Sequence, residues 1–216
     1  MNDKTIANPL AVLFDFDMTV ADTASSILTA MNMFAAEMGL REVTSEDLMK
    51  AIGLTLEETW MSYWGRCEPE WPDYYRSRYK TQEISGFRPF PDTLPVLAKL
   101  RFAGVKTAVV TNRWMARLAV ESSGLAGQFD AIVGAEEAER PKPDPDPVLK
   151  ALAILGVPPE SAVLIGDSHL DMLAAVAAGA TAIGVSTGGT SPEGLYEAGA
   201  RSVCGRLGEA MGLIGL

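Results

Sequence analysis

The chain has 216 residues, 48 % of them hydrophobic, with a formal net charge of −10 at pH 7 and an isoelectric point near 4.6. That length suits one domain, or one domain carrying a sizeable insertion, and the apolar share excludes a disordered chain. The acidic balance, with no run of Lys or Arg, argues against nucleic acid or anionic membranes as partners, and an anionic small substrate would need a local cation.

The first element is Leu10 to Phe14 in LAVLFDFDMTVADT, a short apolar run that reads as a buried strand. It runs into Asp15 and Asp17, whose spacing puts two carboxylates on one side of an extended chain. Such a pair repels and loses solvation, so it needs a compensating partner.

The region 22–87 differs in composition. Ile27, Met31, Phe34 and Met38 recur at helical spacing up to Gly39, and Thr44 with Asp47, and Thr55 with Glu58, have the form of capping boxes. Trp60, Tyr63, Trp64, Trp71, Tyr74, Tyr75 and Tyr79 crowd together, whereas the rest of the chain holds one Trp and one Tyr. This is the pattern of a separate helical insert with an aromatic core. FRPFPD (87–92) is the return linker, and Asp92 is expected to cap a helix running to Ala103 before Gly104.

Strand and helix then alternate. Strands are expected at 106–111, 130–134, 162–167 and 181–185. Helices are expected from about 112 to Ser123, stopped by Gly124, then over 146–155 and 169–178, the last two closed by Gly156 and Gly179. Alternation of this kind implies parallel strands with crossover helices, hence a doubly wound α/β core made of residues 1–21 and 88–216, with 22–87 inserted after the first strand.

In an open parallel sheet the carboxyl ends of the strands face one crevice. Four polar signals fall there: Asp15 with Asp17, Thr111 with Asn112, Lys142 in RPKPDPDP, and Asp167 with Asp171 in GDSHLD. Taken singly, each has an ordinary explanation as a turn, a cap or a surface residue. Together, Asp15, Asp17 and Asp167 around one point demand a divalent cation, and hard Mg²⁺ prefers oxygen ligands while leaving room for phosphate. Lys142 and Thr111 supply a positive charge and a hydroxyl suited to phosphate oxygens. His169 is the only histidine and reads as a local loop residue.

DFDMT, VVTN, RPKPDP and GDSHLD, in that order, resemble the four motifs of the haloacid dehalogenase-like hydrolases, and the insert resembles that family's small helical cap. GFRPFPDTLPVLAKL, KPDPDPVLKAL and AAGATAIGVSTG are most similar to its phosphoglycolate-phosphatase-like branch. The resemblance implies a Mg²⁺-dependent phosphatase acting on a small phosphorylated metabolite. Asp15 would be the nucleophile that becomes an aspartyl phosphate, and Asp17 the acid and base. The Asp15 and Asp167 carboxylates and the Asp17 main-chain carbonyl would hold the metal, with Asp171 behind them. Thr111, Asn112 and Lys142 would bind the phosphoryl oxygens. Lys50 and Gly53, in MKAIGLTLEE, are candidate cap contacts. Met18 stands where glycine is frequent in that family and Ala21 where a larger aliphatic is usual; a methionine there would narrow the entrance.

A phosphoryl mutase uses the same aspartates and is the alternative enzyme. A phosphoacceptor domain lacks an insert of this length, and a binding protein with a dead site would have lost Asp15 or Asp17. Cys67 and Cys204 match no metal or redox spacing, the N-terminus MNDKTIANPL is too polar for a signal peptide, and no apolar run reaches membrane-spanning length. A cytoplasmic protein is expected, as monomer or homodimer.

Overall fold

The computed structural model describes residues 8–216, so the first seven residues of the expected core segment lie outside the described residues. Strand β1 (Ala11–Phe14) is buried on both faces, Val12 and Phe14 packing to one side and Ala11 and Leu13 to the other. A strand covered on both faces needs an uninterrupted apolar run, which is what the sequence has there.

After β1 the chain forms β2 (Ala21–Asp22) and then five helices: α1 (Ala24–Glu37), α2 (Ser45–Ala51), α3 (Leu56–Trp64), α4 (Trp71–Arg78) and α5 (Lys80–Ser85). It returns through β3 (Arg88–Pro89), which pairs antiparallel with β2, so both connections between the helices and the sheet run side by side. Both capping boxes form: Thr44 caps α2 with Asp47, and Thr55 caps α3 with Glu58, each cap worth about 1 kcal/mol. Of the apolar face on α1, Met31, Phe34 and Met38 pack inside the insert, whereas Ile27 packs onto the sheet-side core. The aromatic side chains form the insert's own core. Phe34 lies flat on Trp60, with ring centroids 5.0 Å apart and planes 9° apart, and meets the edges of Trp71, Tyr75 and Tyr79. Each such pair adds roughly 0.5–1.5 kcal/mol to the burial of its rings.

Beyond β3 come α6 (Thr93–Phe102), β4 (Lys106–Val110), α7 (Ala116–Val120), β5 (Ala131–Val133), α8 (Asp146–Leu155), β6 (Ala162–Gly166), α9 (His169–Ala178), β7 (Thr181–Val185), α10 (Pro192–Glu197), β8 (Ser202–Cys204) and α11 (Leu207–Leu213). The sheet order is β5-β4-β1-β6-β7-β8, and every pairing in it is parallel. Helices α6, α7 and α11 cover one face, and α8, α9 and α10 the other. This is the doubly wound α/β architecture. The chain leaves β1 for β4 and β5 on one side, then returns to β6 on the other, so the order reverses around β1. The crevice at that reversal is where such sheets place their ligands.

Two local expectations change. Asp92 stands at the N-cap position of α6 but makes no side-chain cap bond; its Oδ2 accepts the Gly208 N–H at 2.7 Å and ties the start of α6 to α11 instead. The helix before Gly124 is short, and Glu121–Leu125 closes it as a wider turn in which Gly124 takes a φ of 86°. No helix among the described residues is long and apolar enough to cross a membrane, and Cys67 and Cys204 are free thiols.

Candidate active site

The parallel register brings three strand ends level. The Asp15 N–H continues the ladder to the Ile165 carbonyl of β6 at 2.9 Å, and the Thr111 N–H does the same to Val133 of β5 at 3.0 Å. Asp15, Thr111 and Asp167 therefore follow β1, β4 and β6 directly and are all buried.

Lys142 reaches this point from the loop before α8. Its ammonium donates to Asp15 Oδ1 at 2.6 Å, to Asp171 Oδ1 at 2.5 Å and to the Val110 carbonyl at 2.9 Å. Its side chain is 2 % exposed, so the three contacts replace water entirely. Asn112 holds the loop in place: its side-chain oxygen accepts the Lys142 N–H at 2.8 Å and its amide donates to the Lys142 carbonyl at 3.0 Å. The same amide donates to the Gly53 carbonyl of the insert at 2.9 Å. The Asn112 side chain is thus fully used in joining three segments.

Asp171 is presented by a third capping box. Ser168 caps α9, and the Asp171 carboxylate accepts the Ser168 N–H at 3.1 Å. A cap residue would ordinarily be solvated, but Asp171 is 1 % exposed because it also faces Lys142. Only a glycine at 166 permits this, since a Cβ there would come within 2.4 Å of the Asp171 carboxyl carbon. Asp167 accepts from the Thr19 hydroxyl at 2.8 Å through Oδ1, while its Oδ2 is buried with no partner among the described residues.

One oxygen from each of Asp15, Asp167 and Asp171 lies within 4.8 Å of the others. Three carboxylates share one lysine, and their ionisation shows the imbalance. Burial pushes the Asp15 carboxyl up to about 7, with Lys142 opposing and Asp171 and Asp17 adding to the rise. Burial, then Asp15 and Asp171, push Asp167 well above the carboxylate range. Lys142 is raised despite its burial, because Asp15 and Asp171 hold its proton. A hard dication fits this set: it is all oxygen, it is short of positive charge, and one buried oxygen has no donor.

Asp17 faces the other way. Arg113 donates to its two oxygens from Nε at 2.9 Å and Nη2 at 2.6 Å, and to Glu83 of α5 from Nη1 at 2.6 Å. Glu83 also accepts from Lys80 at 2.7 Å and from the Tyr75 hydroxyl at 2.6 Å. Sequence reasoning missed Arg113, Glu83, Lys80 and Thr19. Arg113 directly follows the Thr111-Asn112 signal and Thr19 lies inside DFDMT, so position in a motif could have found them. A Lys-Glu pair three apart on a helix carries no such signal.

Between sheet and insert lies a cavity of about 90 Å³ whose core wall is Asp15, Asp17, Thr111, Asn112, Arg113 and Trp114. Gly53 is on its insert wall, but Lys50 is not: Lys50 is exposed and paired with Glu46 at 2.6 Å. His169 is exposed at the start of α9. Met18 does not line the cavity either. Its φ of 56° lies in the left-handed region, which explains why glycine suits that position and costs a methionine roughly 1–2 kcal/mol.

The sequence matches the haloacid dehalogenase-like hydrolase family over residues 12–185. It is 33 % identical over 174 residues to the phosphoglycolate phosphatase of Aquifex aeolicus, covering 78 % of this chain and 80 % of that one. It is 29 % identical over 188 residues to the pyrophosphatase PpaX of Bacillus velezensis, covering 86 % of both. Among solved structures, a haloacid dehalogenase-like hydrolase of Bacteroides fragilis superposes with a TM-score of 0.86 at 29 % identity, over 94 % of this chain and 100 % of that one. A β-phosphoglucomutase of Clostridium difficile shares the fold, with a TM-score of 0.78 at 19 % identity over 93 % of this chain and 92 % of that one. With its four motifs gathered at the carboxyl ends of the strands around β1, the chain belongs to the haloacid dehalogenase-like hydrolases.

Proposed function

We propose that the chain hydrolyses a small phosphorylated metabolite, of the phosphoglycolate or sugar phosphate kind, through an aspartyl-phosphate intermediate with Mg²⁺ as cofactor. The observation that carries this reading is Lys142 bridging Asp15 and Asp171, with the unpartnered Asp167 oxygen beside them. In this reading Asp15 attacks phosphorus, the ester oxygen leaves with a proton from Asp17, and Asp17 then takes a proton from the water that splits the acyl phosphate. Alcohol and inorganic phosphate are released, and Asp15 is regenerated. Lys142 and Thr111 stabilise charge spread over the phosphoryl oxygens. Asp15, Asp167 and the Asp17 carbonyl hold the metal, and Asp171 supports them. The bound ion supplies positive charge to the phosphoryl group and offsets the crowded carboxylates.

The helical segment 22–87 serves as a cap over the core formed by 1–21 and 88–216, and the cavity between them limits both substrate size and access of bulk water. The relatives' names, phosphoglycolate phosphatase and pyrophosphatase, support a phosphate-releasing reaction. The test is a phosphate-release panel of metabolite esters with Mg²⁺ and an EDTA control, run beside Asp15→Asn. Release that needs metal and disappears in Asp15→Asn is expected. Release that persists in the variant overturns the nucleophile, and isomerisation of a sugar phosphate without release points to a mutase.

A further inference from the structure

Among the described residues, the cations beside the reacting centre are each paired with a carboxylate. Arg113 is shared between Asp17 and Glu83, and Lys80 sits on Glu83, all four side chains being nearly or wholly buried. Lys142 is engaged by Asp15 and Asp171. At the rim Arg76 stacks 4.4 Å above the Trp114 ring and is paired through its terminal nitrogens with Asp73 and Glu57, while its Nε has no partner among the described residues. Beside the reacting centre, among the described residues, two cations thus meet two carboxylates and their charges cancel. The rest of the insert wall is largely apolar, with Ile27, Met31, Leu48 and Leu54, and its neutral polar groups include Thr59 and Tyr63. The Tyr63 hydroxyl is buried and has no partner among the described residues.

Resting on the phosphatase reading above, we propose that Glu83 is a specificity-determining residue: by neutralising Lys80 and Arg113 it makes the chamber select against substrates with a second anionic group, so that the alcohol released is small, uncharged and partly apolar. A carboxylate or second phosphate on the leaving side would enter the cavity as an unmatched anion beside Asp17 and Glu83, where each would repel it. A hydroxyl-bearing alcohol meets no such opposition and offers the Tyr63 hydroxyl a partner. This preference narrows the reading above to esters of uncharged alcohols, away from phosphoglycolate, and so differs from the substrate named for the phosphoglycolate phosphatase relative, whose leaving group carries a carboxylate.

The test compares 2-phosphoglycolate with 2-hydroxyethyl phosphate, which differ chiefly in the carboxylate, with p-nitrophenyl phosphate as the measure of basal turnover. The wild-type enzyme with Mg²⁺ is expected to favour 2-hydroxyethyl phosphate in kcat/KM by about tenfold or more, since like charges brought together at a binding site oppose each other. Glu83→Gln releases one cation and is expected to move that ratio toward phosphoglycolate by on the order of 10²-fold, chiefly through KM. Because Glu83→Gln also strands Lys80, Thr59→Lys is a second variant; it adds a cation to the wall while every existing pair stays intact, and should move the ratio the same way. Wild-type preference for phosphoglycolate, or a ratio unmoved in both variants, overturns the proposal. Failure of the wild type on all three esters overturns the phosphatase reading, and this inference with it.

Discussion

Arg113 takes both oxygens of Asp17 in its planar fork, at 2.9 and 2.6 Å, while its remaining nitrogen reaches Glu83 in the insert at 2.6 Å. A carboxylate held by two parallel bonds has a fixed plane as well as a fixed position. Asp17 is therefore oriented from two directions, by the backbone after β1 and by a guanidinium that the insert holds from behind.

Arg113→Lys keeps the charge and loses the fork. A lysine offers one point of attachment, so Asp17 regains rotation about its last bond. If Asp17 delivers a proton to the leaving oxygen, the loss falls on esters whose alcohol is a poor leaving group. We expect kcat on an alkyl phosphate to fall on the order of 10²-fold, with a much smaller fall on p-nitrophenyl phosphate and a KM nearly unchanged. Steady-state kinetics on both esters decides it. Equal losses on the two would mean that Arg113 supports the fold rather than Asp17.

Lys142→Met removes the one ammonium that Asp15 and Asp171 share. Breaking a buried ion cluster from one side costs about 3–5 kcal/mol, or roughly 10 °C in Tm for a chain of this size. Activity should disappear as well. Because the two carboxylates are left facing each other, added Mg²⁺ is expected to raise the Tm of this variant by more than it raises that of the wild type. A melting series against Mg²⁺ shows this directly, and equal increments would mean the ion does not bind at these carboxylates.

The parts of this arrangement that the sequence makes legible are those announced by a clash of local signals. An apolar strand running into Asp15 and Asp17 gains a reason only together with the other signals, Asp167 directly after β6 and Lys142 in the loop between β5 and α8, which the topology brings to the same strand ends. The α8, α9 and β7 boundaries are equally plain because Gly156 and Gly179 take the left-handed turns that end helices. What escapes is chemistry supplied by tertiary packing. Lys80 and Glu83 look like a solvated pair on a helix face and turn out to be buried under Tyr75 and Arg113. Asp92 has the form of a helix cap, yet Gly208, more than a hundred residues on, takes its carboxylate. Strand β8 is three half-buried residues at the sheet edge, too short to register as a pattern.

Asp167→Asn tests the metal at its most exposed weakness, the buried oxygen without a donor. Asparagine preserves the size of the side chain and the acceptor facing Thr19 while removing the charge a dication needs. With free Mg²⁺ at a hundred times its dissociation constant, the wild type should gain about 2.7 kcal/mol, a rise of roughly 5–10 °C in Tm. In Asp167→Asn most of that gain should vanish, while the metal-free variant melts no lower than the metal-free wild type, because a carboxyl that burial and its neighbours already oppose ionising gives way to a neutral group of the same size. Differential scanning calorimetry with and without Mg²⁺ reads both quantities. An undiminished Mg²⁺ response in Asp167→Asn would remove this residue from the metal site.

Glu83 gives the molecule an acid-sensitive joint between insert and sheet. Burial works to raise its carboxyl, but Lys80 and Arg113 outweigh burial and hold it at about 2, below the ordinary 4.5. A carboxyl whose folded value is depressed stabilises the fold above its unfolded value and loses that contribution as pH falls toward the folded one. Lys80 does not share in the gain, since burial, then Arg113, lower its own value despite Glu83. The carboxylate is the stabilised partner, and the window is therefore pH 4.5 down to about 2. Glu83→Gln should be less stable than the wild type at pH 7, and the difference should shrink steadily through that window as the wild-type carboxyl takes up its proton. Urea midpoints for the two proteins at pH 7, 4.5 and 3 measure it. A gap that stays constant down to pH 3 would show that Glu83 contributes through packing and not through its charge.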